Sequence, residues 1–438
     1  MQIGVTSLKQ LRNMIFLLIA AISLGTVFII GVYCLPTDRM YNNLKGAEDF
    51  YSLGEFPQWS KGMDHTTIDN FTDSIMVLKA VYPVENVVED SMLIPSWNPV
   101  WQGEYAAARG LIQVIEAGQI ERVTDEHIYP RYWHGYLTIL KPMLTLLKLD
   151  HLRVLNLYIQ FILVVTALIL LYKKLGIYYT YIFALIILII NPISAALSFQ
   201  FTNVYCTMLL TVISILLFND KLKQGNRYMY FFMTIGMITA YFDFLTYPMV
   251  PLGIGMAICF ALNKEKFLQG SIMKLLLNHL NKFFSWGFGY AGMWSGKVLA
   301  ATLLTNYDIF HDVMNEVTIR MSHHDGHNME GPTITVVGAV GRSLAAFKEG
   351  PLKYILLATL IYFLYLIFIR HKQFILNKIT LVSLLFITLL PFVWYAVACN
   401  HSMMHNYLAY RELTVAVFGL FAFFIECMPD LKRRINGE

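Results

Sequence analysis

The sequence predicts an all-α membrane protein of about ten transmembrane helices with a long first extracytoplasmic loop. The first observation is composition: 57% of the 438 residues are hydrophobic and only 14% are charged. Soluble domains contain about 25% charged residues, so this balance is typical of a chain that has lipid as its solvent. The second is the grouping of apolar residues into long runs, and the third is the placement of basic residues between them.

Residues 14–34 form the first apolar run, which follows two basic residues and contains no charge. The run is longer than the apolar part of a signal peptide and lacks a small-residue cleavage site, which favours an uncleaved first span. Further runs predict the remaining helices at about 20 residues per span. They cover residues 154–172, 175–219 as two helices broken near Asn191-Pro192, 228–242, 244–263, 283–304, 354–369, 379–400 and 407–428.

The charge distribution predicts the orientation of these helices. With the N-terminus inside, the inner segments carry 17 Lys and Arg against 4 Asp and Glu, whereas the outer segments 35–153 and 308–353 carry 14 against 22. Cytoplasmic loops are enriched in Lys and Arg, so both termini are expected in the cytoplasm of a multi-pass plasma-membrane protein. The chain then divides into residues 1–34, the outer loop 35–153, a bundle 154–428 with an outer loop at 308–353, and a basic tail 429–438.

Two stretches of the first outer loop are expected to lie along the membrane surface. Residues 104–117 have an amphipathic pattern, with Leu111, Ile112 and Ile115 on one side of a helix. Residues 136–149 are apolar but short and contain Lys141 and Pro142, which favours an interfacial or re-entrant segment over a span. Ten of the twelve histidines also fall on the predicted outer side, as expected for an active site open to the cell exterior.

Asp69 and Asp73 are the first candidate catalytic residues. They lie four positions apart, so on a helix they would share a face, where one carboxylate could be a general base and the other could tune its pKa. The alternative is a helix start, at which a Thr or Asp caps the free backbone N–H groups.

Arg131 and His134 lie in the aromatic segment 129–136, YPRYWHGY. Aromatic rings stack on sugars, and a guanidinium forks onto phosphate oxygens, so this segment is a candidate sugar or phosphate site. The alternative is an interfacial aromatic belt without a ligand.

Charges inside predicted spans provide a third group of candidates, because such charges cost a few kcal/mol and often have a function. Lys297 and Arg411 are candidates for contact with a lipid phosphate, and Asp243 and Tyr247 lie together in residues 241–248. The alternatives are a structural ion pair between Arg411 and Asp243, or an Arg411 side chain that reaches outward to the interface.

His401 and His405 are four residues apart, which suits metal binding on a helix, and the segment 322–327 contains three further histidines. The HExxH motif of zinc proteases is absent, and the five cysteines form no CxxC pair. No metal ligand set follows from the sequence. A nucleotide-binding P-loop is also absent, so any donor on the outer face is expected to be activated elsewhere and lipid-linked. No nucleic-acid partner is expected.

The order of these elements resembles the GT-C class of integral-membrane glycosyltransferases: a first helix, a long outer loop with surface helices, and a multi-helix bundle. The segments IDNFTDS (68–74), YPRYWHGYLTILKPML (129–144), FDFLTYP (242–248), SWGFGYAGMWSGK (285–297) and WYAVACNHSMMHNYLAYR (394–411) are also similar to those of bacterial multipass proteins linked to surface polysaccharides.

The resemblance implies transfer of a sugar from a polyprenyl-phosphate carrier to a cell-surface glycan or related acceptor, with inversion at the anomeric carbon. It also implies an acidic base in the first outer loop, which would be Asp69, Asp73 or Asp38. The phosphate ligands would be Arg131, Lys297 and Arg411, and His134, His401 and His405 would contact sugar, phosphate or a divalent metal such as Mg or Mn. The paired acidic residues that follow the first helix in many members are absent.

Three other functions remain open, one of which is a non-catalytic scaffold for an envelope assembly complex. A transporter or flippase of lipid-linked sugars would need a polar path that reaches both faces, and Lys297 is the one charge near the middle of a predicted span. A polysaccharide polymerase or ligase would also face outward, but such proteins usually carry their large outer loop late in the chain.

Overall fold

The computed structural model describes residues 8–97, 107–118, 120–122, 126–321 and 333–428. Within these ranges the fold is all-α and contains no strand, only two isolated β-bridges at Gln58–Thr67 and Ser96–His127. The helices of the N-terminal part are α1 (Leu8–Tyr33), α2 (Thr37–Asn42), α3 (Glu48–Tyr51), α4 (Asn70–Val81), α5 (Val87–Leu93), α6 (Ala107–Ala117), α7 (Leu137–Leu146) and α8 (Leu149–Leu175).

The rest of the chain forms a bundle in which long helices alternate with short ones. They are α9 (Ile177–Ile190), α10 (Pro192–Leu197), α11 (Phe199–Leu222), α12 (Arg227–Phe242), α13 (Met249–Leu268), α14 (Ile272–Leu304), α15 (Ile309–Met321), α16 (Val336–Ala345), α17 (Gly350–Ile369), α18 (Lys378–Val397), α19 (Cys399–Met404), α20 (Asn406–Ala409) and α21 (Thr414–Glu426).

Six helical segments of the described chain are long and apolar enough to cross a membrane. Several of them leave most of their apolar side chains uncovered, as Phe16 on α1, Phe161 on α8 and Phe368 on α17 illustrate. Such exposure is costly in water but not in hydrocarbon, so the chain is an all-α membrane protein. The six segments are Leu8–Tyr33, Leu149–Leu175, Phe199–Leu222, Gly350–Ile369, Lys378–Val397 and Asn406–Glu426.

The predicted break at Asn191-Pro192 is present and has a local cause. Asn191 adopts φ +69°, which ends α9, and its side chain accepts a hydrogen bond from the Ser194 N–H (3.1 Å) to cap α10. Pro192 occupies the first turn of α10, where its missing N–H costs nothing. The Asn191 amide also donates to the His65 carbonyl (2.9 Å), so the break holds the segment between α3 and α4 against the bundle.

The amphipathic pattern of residues 104–117 corresponds to α6, although residues 104–106 lie outside the described ranges. Leu111 and Ile115 of α6 are buried as expected, while Ile112 is only partly buried. The apolar face packs against α3 and α4. Protein side chains, rather than lipid alone, therefore cover this face.

Helices α12 and α14 pack at backbone contact through two glycines. A Cβ atom added to Gly289 would overlap the Met233 carbonyl oxygen, and one added to Gly236 would overlap the Trp286 carbonyl oxygen. A carbonyl in a regular helix cannot move aside without breaking its own hydrogen bond. These two glycines therefore set the distance between the helices.

Gly289→Ala is expected to lower the unfolding temperature in detergent, because overpacking of a tight contact costs about 1–3 kcal/mol. Gly287→Ala is the matched control on the same helix, since nothing lies within 4 Å of a Cβ at that position. The control should be neutral or slightly stabilising because alanine favours the helix. Equal unfolding temperatures for both variants would contradict the proposed close contact.

Candidate functional site

A cavity of about 550 Å³ lies where the segment between α1 and α8 meets the bundle. Five parts of the chain that are distant in sequence build it: the region around α4, the segment before α7, the start of α11, the connection between α12 and α13, and the connection between α18 and α21. It is called the loop cavity here. Its polar and aromatic lining is Glu55, Phe56, Phe71, Thr72, Lys79, His127, Tyr129, Arg131, Tyr132, His134, Tyr136, Gln200, Phe244, His401, His405 and Tyr407.

Helix α4 contributes one face to the loop cavity. Thr72, Met76 and Lys79 recur at helical spacing and all line it. The helix begins directly after Asp69, whose side chain accepts a hydrogen bond from the Thr72 N–H (2.8 Å). The cap therefore defines the first residue of α4. The face of α4 that lines the cavity is the one formed by Thr72, Met76 and Lys79.

Lys79 is a cation of the cavity that no sequence motif predicts. Its side chain is 2% exposed, and its ammonium donates to the Ser96 hydroxyl (3.1 Å) and the Ile94 carbonyl (3.4 Å). The Tyr129 ring lies 5.2 Å away. Burial, reinforced by repulsion from Arg131, lowers the pKa of Lys79 to about 7. An anionic ligand at this point would remove that penalty.

Arg131 also lines the cavity, but its charge is largely compensated. The guanidinium lies 3.0 Å from the Asp312 carboxylate and 3.3 Å from Glu316, both on α15. It also stacks on Tyr129, with 4.5 Å between the guanidinium carbon and the ring centroid. Arg131 thus lies against an aromatic ring of its own segment, and Lys79 is left as the cation of this wall without a carboxylate partner among the described residues.

Two histidines of the cavity wall, His127 and His134, have pKa values below the usual range for histidine. Burial, with further lowering by Lys79, brings the pKa of His127 to about 4 and places that of His134 well below its usual range. His134 lies 2.9 Å from the Tyr129 carbonyl through Nε2, which must therefore carry the proton. Its Nδ1 then accepts from the Tyr136 hydroxyl (3.3 Å). His134 also has φ +52°, so it is a fixed, strained point of the segment.

Glu55 is a carboxylate of the cavity wall, and nothing in its sequence surroundings singles it out. One side-chain oxygen accepts from the Ala108 N–H of α6 (3.0 Å), and the other has no hydrogen-bond partner among the described residues. Burial raises the pKa of Glu55, and the nearby Asp69 adds to the increase. The Glu55 carbonyl accepts from the Phe71 N–H (3.0 Å), which ties the residue to the start of α4.

Asp69 lies behind the cavity wall rather than in it. Besides the Thr72 N–H, its carboxylate accepts from the Thr72 hydroxyl (2.9 Å) and the Tyr407 hydroxyl (3.2 Å), and it is fully buried. Both partners line the loop cavity. Asp69 therefore orients two cavity hydroxyls while it caps α4, which is the alternative predicted from its spacing.

Asp73 caps a different helix. Its two carboxylate oxygens accept from the Phe199 N–H (2.9 Å) and the Gln200 N–H (3.0 Å) at the start of α11. The carboxylate is fully buried, so no water replaces these bonds. The third acidic candidate, Asp38, is exposed in the first turn of α2 and does not line the cavity.

Asp73→Ala is expected to destabilise the protein by about 2 kcal/mol, because two buried N–H groups at the start of α11 lose their acceptor. Asp73→Asn keeps one acceptor oxygen and should cost less. The unfolding temperature in detergent measures both. An unfolding temperature that Asp73→Ala leaves unchanged would contradict the capping role.

The candidates from the spans predicted by the sequence lie elsewhere and have structural partners. Lys297 donates to the Met92 carbonyl (2.7 Å), and Arg411 donates to the Ile190 carbonyl (2.9 Å). Asp243 accepts from the Thr246 N–H (3.0 Å), and no ion pair joins it to Arg411 in the described structure. Tyr247 donates to the Phe201 carbonyl (2.5 Å). Lys297, Arg411, Asp243 and Tyr247 are all absent from the lining of the loop cavity.

His401 and His405 do line the cavity, with ring centroids 4.7 Å apart. His401 donates from Nε2 to the Leu245 carbonyl (3.0 Å), which holds the connection between α18 and α21 against that between α12 and α13. No group of three or more His, Cys, Asp or Glu suited to a metal ion occurs within the described ranges. The histidines at 323–327 lie outside them.

An apolar groove, called the side cleft here, lies beside the loop cavity. The two share Met76 and Tyr136. The side cleft has a volume of about 170 Å³ and runs between α7, α8 and α11. Ile139 and Ile159 line it and are about half exposed, so the cleft opens onto the apolar outer surface of the bundle.

No protein-family model, no curated protein and no solved structure matches this chain. The fold and the site define the class: an all-α membrane protein with a polar, aromatic cavity beside its bundle.

Proposed function

We propose that this chain is a GT-C-class glycosyltransferase that moves a sugar from a polyprenyl-phosphate carrier to a cell-surface glycan or related acceptor. One observation carries the proposal. The loop cavity combines a buried cation, a carboxylate and several aromatic rings, and the apolar side cleft adjoins it. A lipid-linked sugar has the same three parts: a phosphate, a sugar and a prenyl tail.

In this proposal the donor phosphate lies beside Lys79, with Arg131 adding a partly compensated charge. The sugar stacks against the rings of Tyr129 and Phe244. The first part of the prenyl tail leaves through the side cleft into the bilayer.

The chemistry is a single displacement. Glu55 removes the proton from an acceptor hydroxyl, and the oxygen attacks the anomeric carbon. The bond between that carbon and the phosphate oxygen breaks, and Lys79 stabilises the departing polyprenyl phosphate. Attack from the opposite face inverts the anomeric centre. Asp69 is a positioning residue that orients the hydroxyls of Thr72 and Tyr407.

The topology is part of the proposal. Helices α1, α8, α9, α11, α12, α13, α14, α17, α18 and α21 would be the ten spans, and the segment holding α2–α7 would be the long outer loop. The bias of basic residues supports cytoplasmic termini and an extracytoplasmic cavity in the plasma membrane of a bacterium.

The direct test is a transfer assay on the purified protein in detergent, with a panel of radiolabelled polyprenyl-phosphate sugars and extracted envelope glycan as acceptor. Transfer from one donor is expected, with an inverted linkage in the product. Binding of lipid-linked sugars without transfer from any donor would contradict the enzyme and favour a flippase. Joining of preassembled glycan chains would favour a polymerase or ligase.

A further inference from the structure

A second cavity, of about 310 Å³, lies at the other end of the bundle. Helix α11 places Gln200 in the loop cavity at its start, and Lys223 follows its last residue and lines the second cavity. At 24 residues, α11 separates the two by about 36 Å. Helix α12 runs the opposite way, from Tyr228 in the second cavity towards Phe244 in the loop cavity.

Lysines dominate the charge of this second cavity, called the lysine pocket here. Its charged lining residues are Lys223, Lys266, Lys274 and Lys282, and no acidic residue within the described ranges lines it. Lys223 lies 2.5 Å from Asp220, whereas the other three have no ion pair in the described part of the chain. The pocket is therefore a concave site of uncompensated positive charge.

Lys282 is the most informative of the four. It is 3% exposed, and its ammonium donates to the side-chain oxygen and the carbonyl of Asn278. The rings of Tyr228 and Phe267 each lie 5.7 Å from it. Neutral oxygens and ring faces offset only part of the cost of burying a charge, and a bound anion would supply the rest.

The start of α14 adds a further attraction for an anion. The Ser271 hydroxyl caps this 33-residue helix by accepting from the Lys274 N–H (3.3 Å), and both residues line the pocket. The N-terminal end of a helix carries a partial positive charge and free N–H groups.

The enrichment of basic residues at cytoplasmic helix ends explains why lysines occur at this end of the bundle. This enrichment does not explain why Lys282 is buried in a cavity, because a lysine that only marks a cytoplasmic helix end would extend into water. The combination of a cavity, a buried Lys282 and a helix start is typical of a binding site.

We propose that the lysine pocket binds a phosphate group, carried either by an anionic lipid headgroup or by a soluble phosphate compound. This site is separate from the loop cavity and does not depend on the glycosyltransferase proposal. Its volume lies near the lower end of the range for small-ligand sites, which suits a headgroup or a small phosphate ester.

The test titrates delipidated protein in detergent with three probes and follows the unfolding temperature. The probes are short-chain phosphatidic acid, short-chain phosphatidylcholine and inorganic phosphate. Stabilisation by phosphatidic acid alone assigns the site to a lipid headgroup. Stabilisation by inorganic phosphate at equal potency assigns it to a soluble ligand. Failure of both anions to stabilise the protein, or equal stabilisation by phosphatidylcholine, would overturn the proposal.

The variants locate the binding. Lys266→Gln with Lys274→Gln changes two exposed side chains of the pocket, so folding should persist, and the affinity for the stabilising anion should fall by about tenfold or more. Lys372→Gln with Lys378→Gln removes two exposed lysines near the same bundle end that do not line the pocket. If the two double variants lose the same affinity for the anion, general surface charge would explain the binding, and the proposed site would be wrong. Lys282→Met should abolish binding if it folds.

Discussion

Glu55→Gln is expected to reduce sugar transfer by about 10²- to 10⁴-fold, the range attributed to a general base, while donor binding changes little. Glutamine keeps the shape and an acceptor oxygen for the Ala108 N–H, so the start of α6 should remain intact. What it loses is the proton acceptor at the cavity wall. Radiolabelled transfer under saturating donor, together with the unfolding temperature, separates chemistry from folding.

The pH profile of the wild-type enzyme gives an independent reading of the same residue. A base must be deprotonated to work, and burial raises the pKa of Glu55 above the ordinary range for glutamate. Activity should therefore fall on acidification at a higher pH than an exposed carboxylate would give. If Glu55 only caps α6, kcat should not show this fall at acidic pH.

Asp38→Asn and Asp69→Asn complete this comparison. Asp38 is exposed and outside the cavity, so its variant should keep full transfer. Asp69→Asn should weaken transfer moderately, because the Thr72 and Tyr407 hydroxyls lose part of their orientation. If the Glu55→Gln enzyme is active and the Asp69→Asn enzyme is inactive, the general base would be Asp69 and not Glu55.

The helices could be predicted from the sequence because hydropathy and helix-breaking residues act locally. The break at Asn191-Pro192 and the end of α12 before Asp243 are examples, since each depends on residues within a few positions. The capping role of Asp69 could also be predicted, because Asp69 and Thr72 have the spacing of a capped helix start.

The members of the cavity were only partly predictable. Arg131, His134, His401 and His405 were chosen for their chemistry, and all four line the loop cavity. Glu55 and Lys79 could not be predicted as cavity residues, because contacts between distant segments place them in the loop cavity. No sequence pattern around Glu55 predicts its hydrogen bond with α6. The pattern of α4 likewise does not predict that Lys79 is buried next to the Tyr129 ring.

Lys297 and Arg411 illustrate the alternative to a ligand role, in which a charge in a predicted span has a structural partner. Both side chains instead donate to backbone carbonyls that other segments leave available, those of Met92 and Ile190. A carbonyl at a helix end or in a loop is invisible to sequence patterns, since every residue has one. Such charges hold irregular segments against the bundle, and their functional role stays a prediction.

Lys79→Met should weaken donor binding by about 10²-fold at pH 6, where the wild-type ammonium is charged, because the donor phosphate loses a buried cation. The effect should shrink as the pH rises. The donor is a phosphodiester whose charge is constant over this range, whereas the pKa of Lys79 in the free protein is lowered to about 7. The wild-type Kd should therefore be constant below pH 6 and rise above pH 7 by up to about tenfold per unit, following proton linkage.

Lys79→Arg separates charge from titration. Arginine stays protonated throughout, so this variant should bind donor with little change between pH 6 and pH 9. Lys61→Met is the matched control, since Lys61 belongs to the same segment but is exposed and outside the cavity. Binding of a labelled polyprenyl-phosphate sugar to protein in lipid nanodiscs measures all four proteins. A Kd that rises with pH in Lys79→Met as it does in the wild type would show that another group titrates, and the phosphate would then belong beside Arg131.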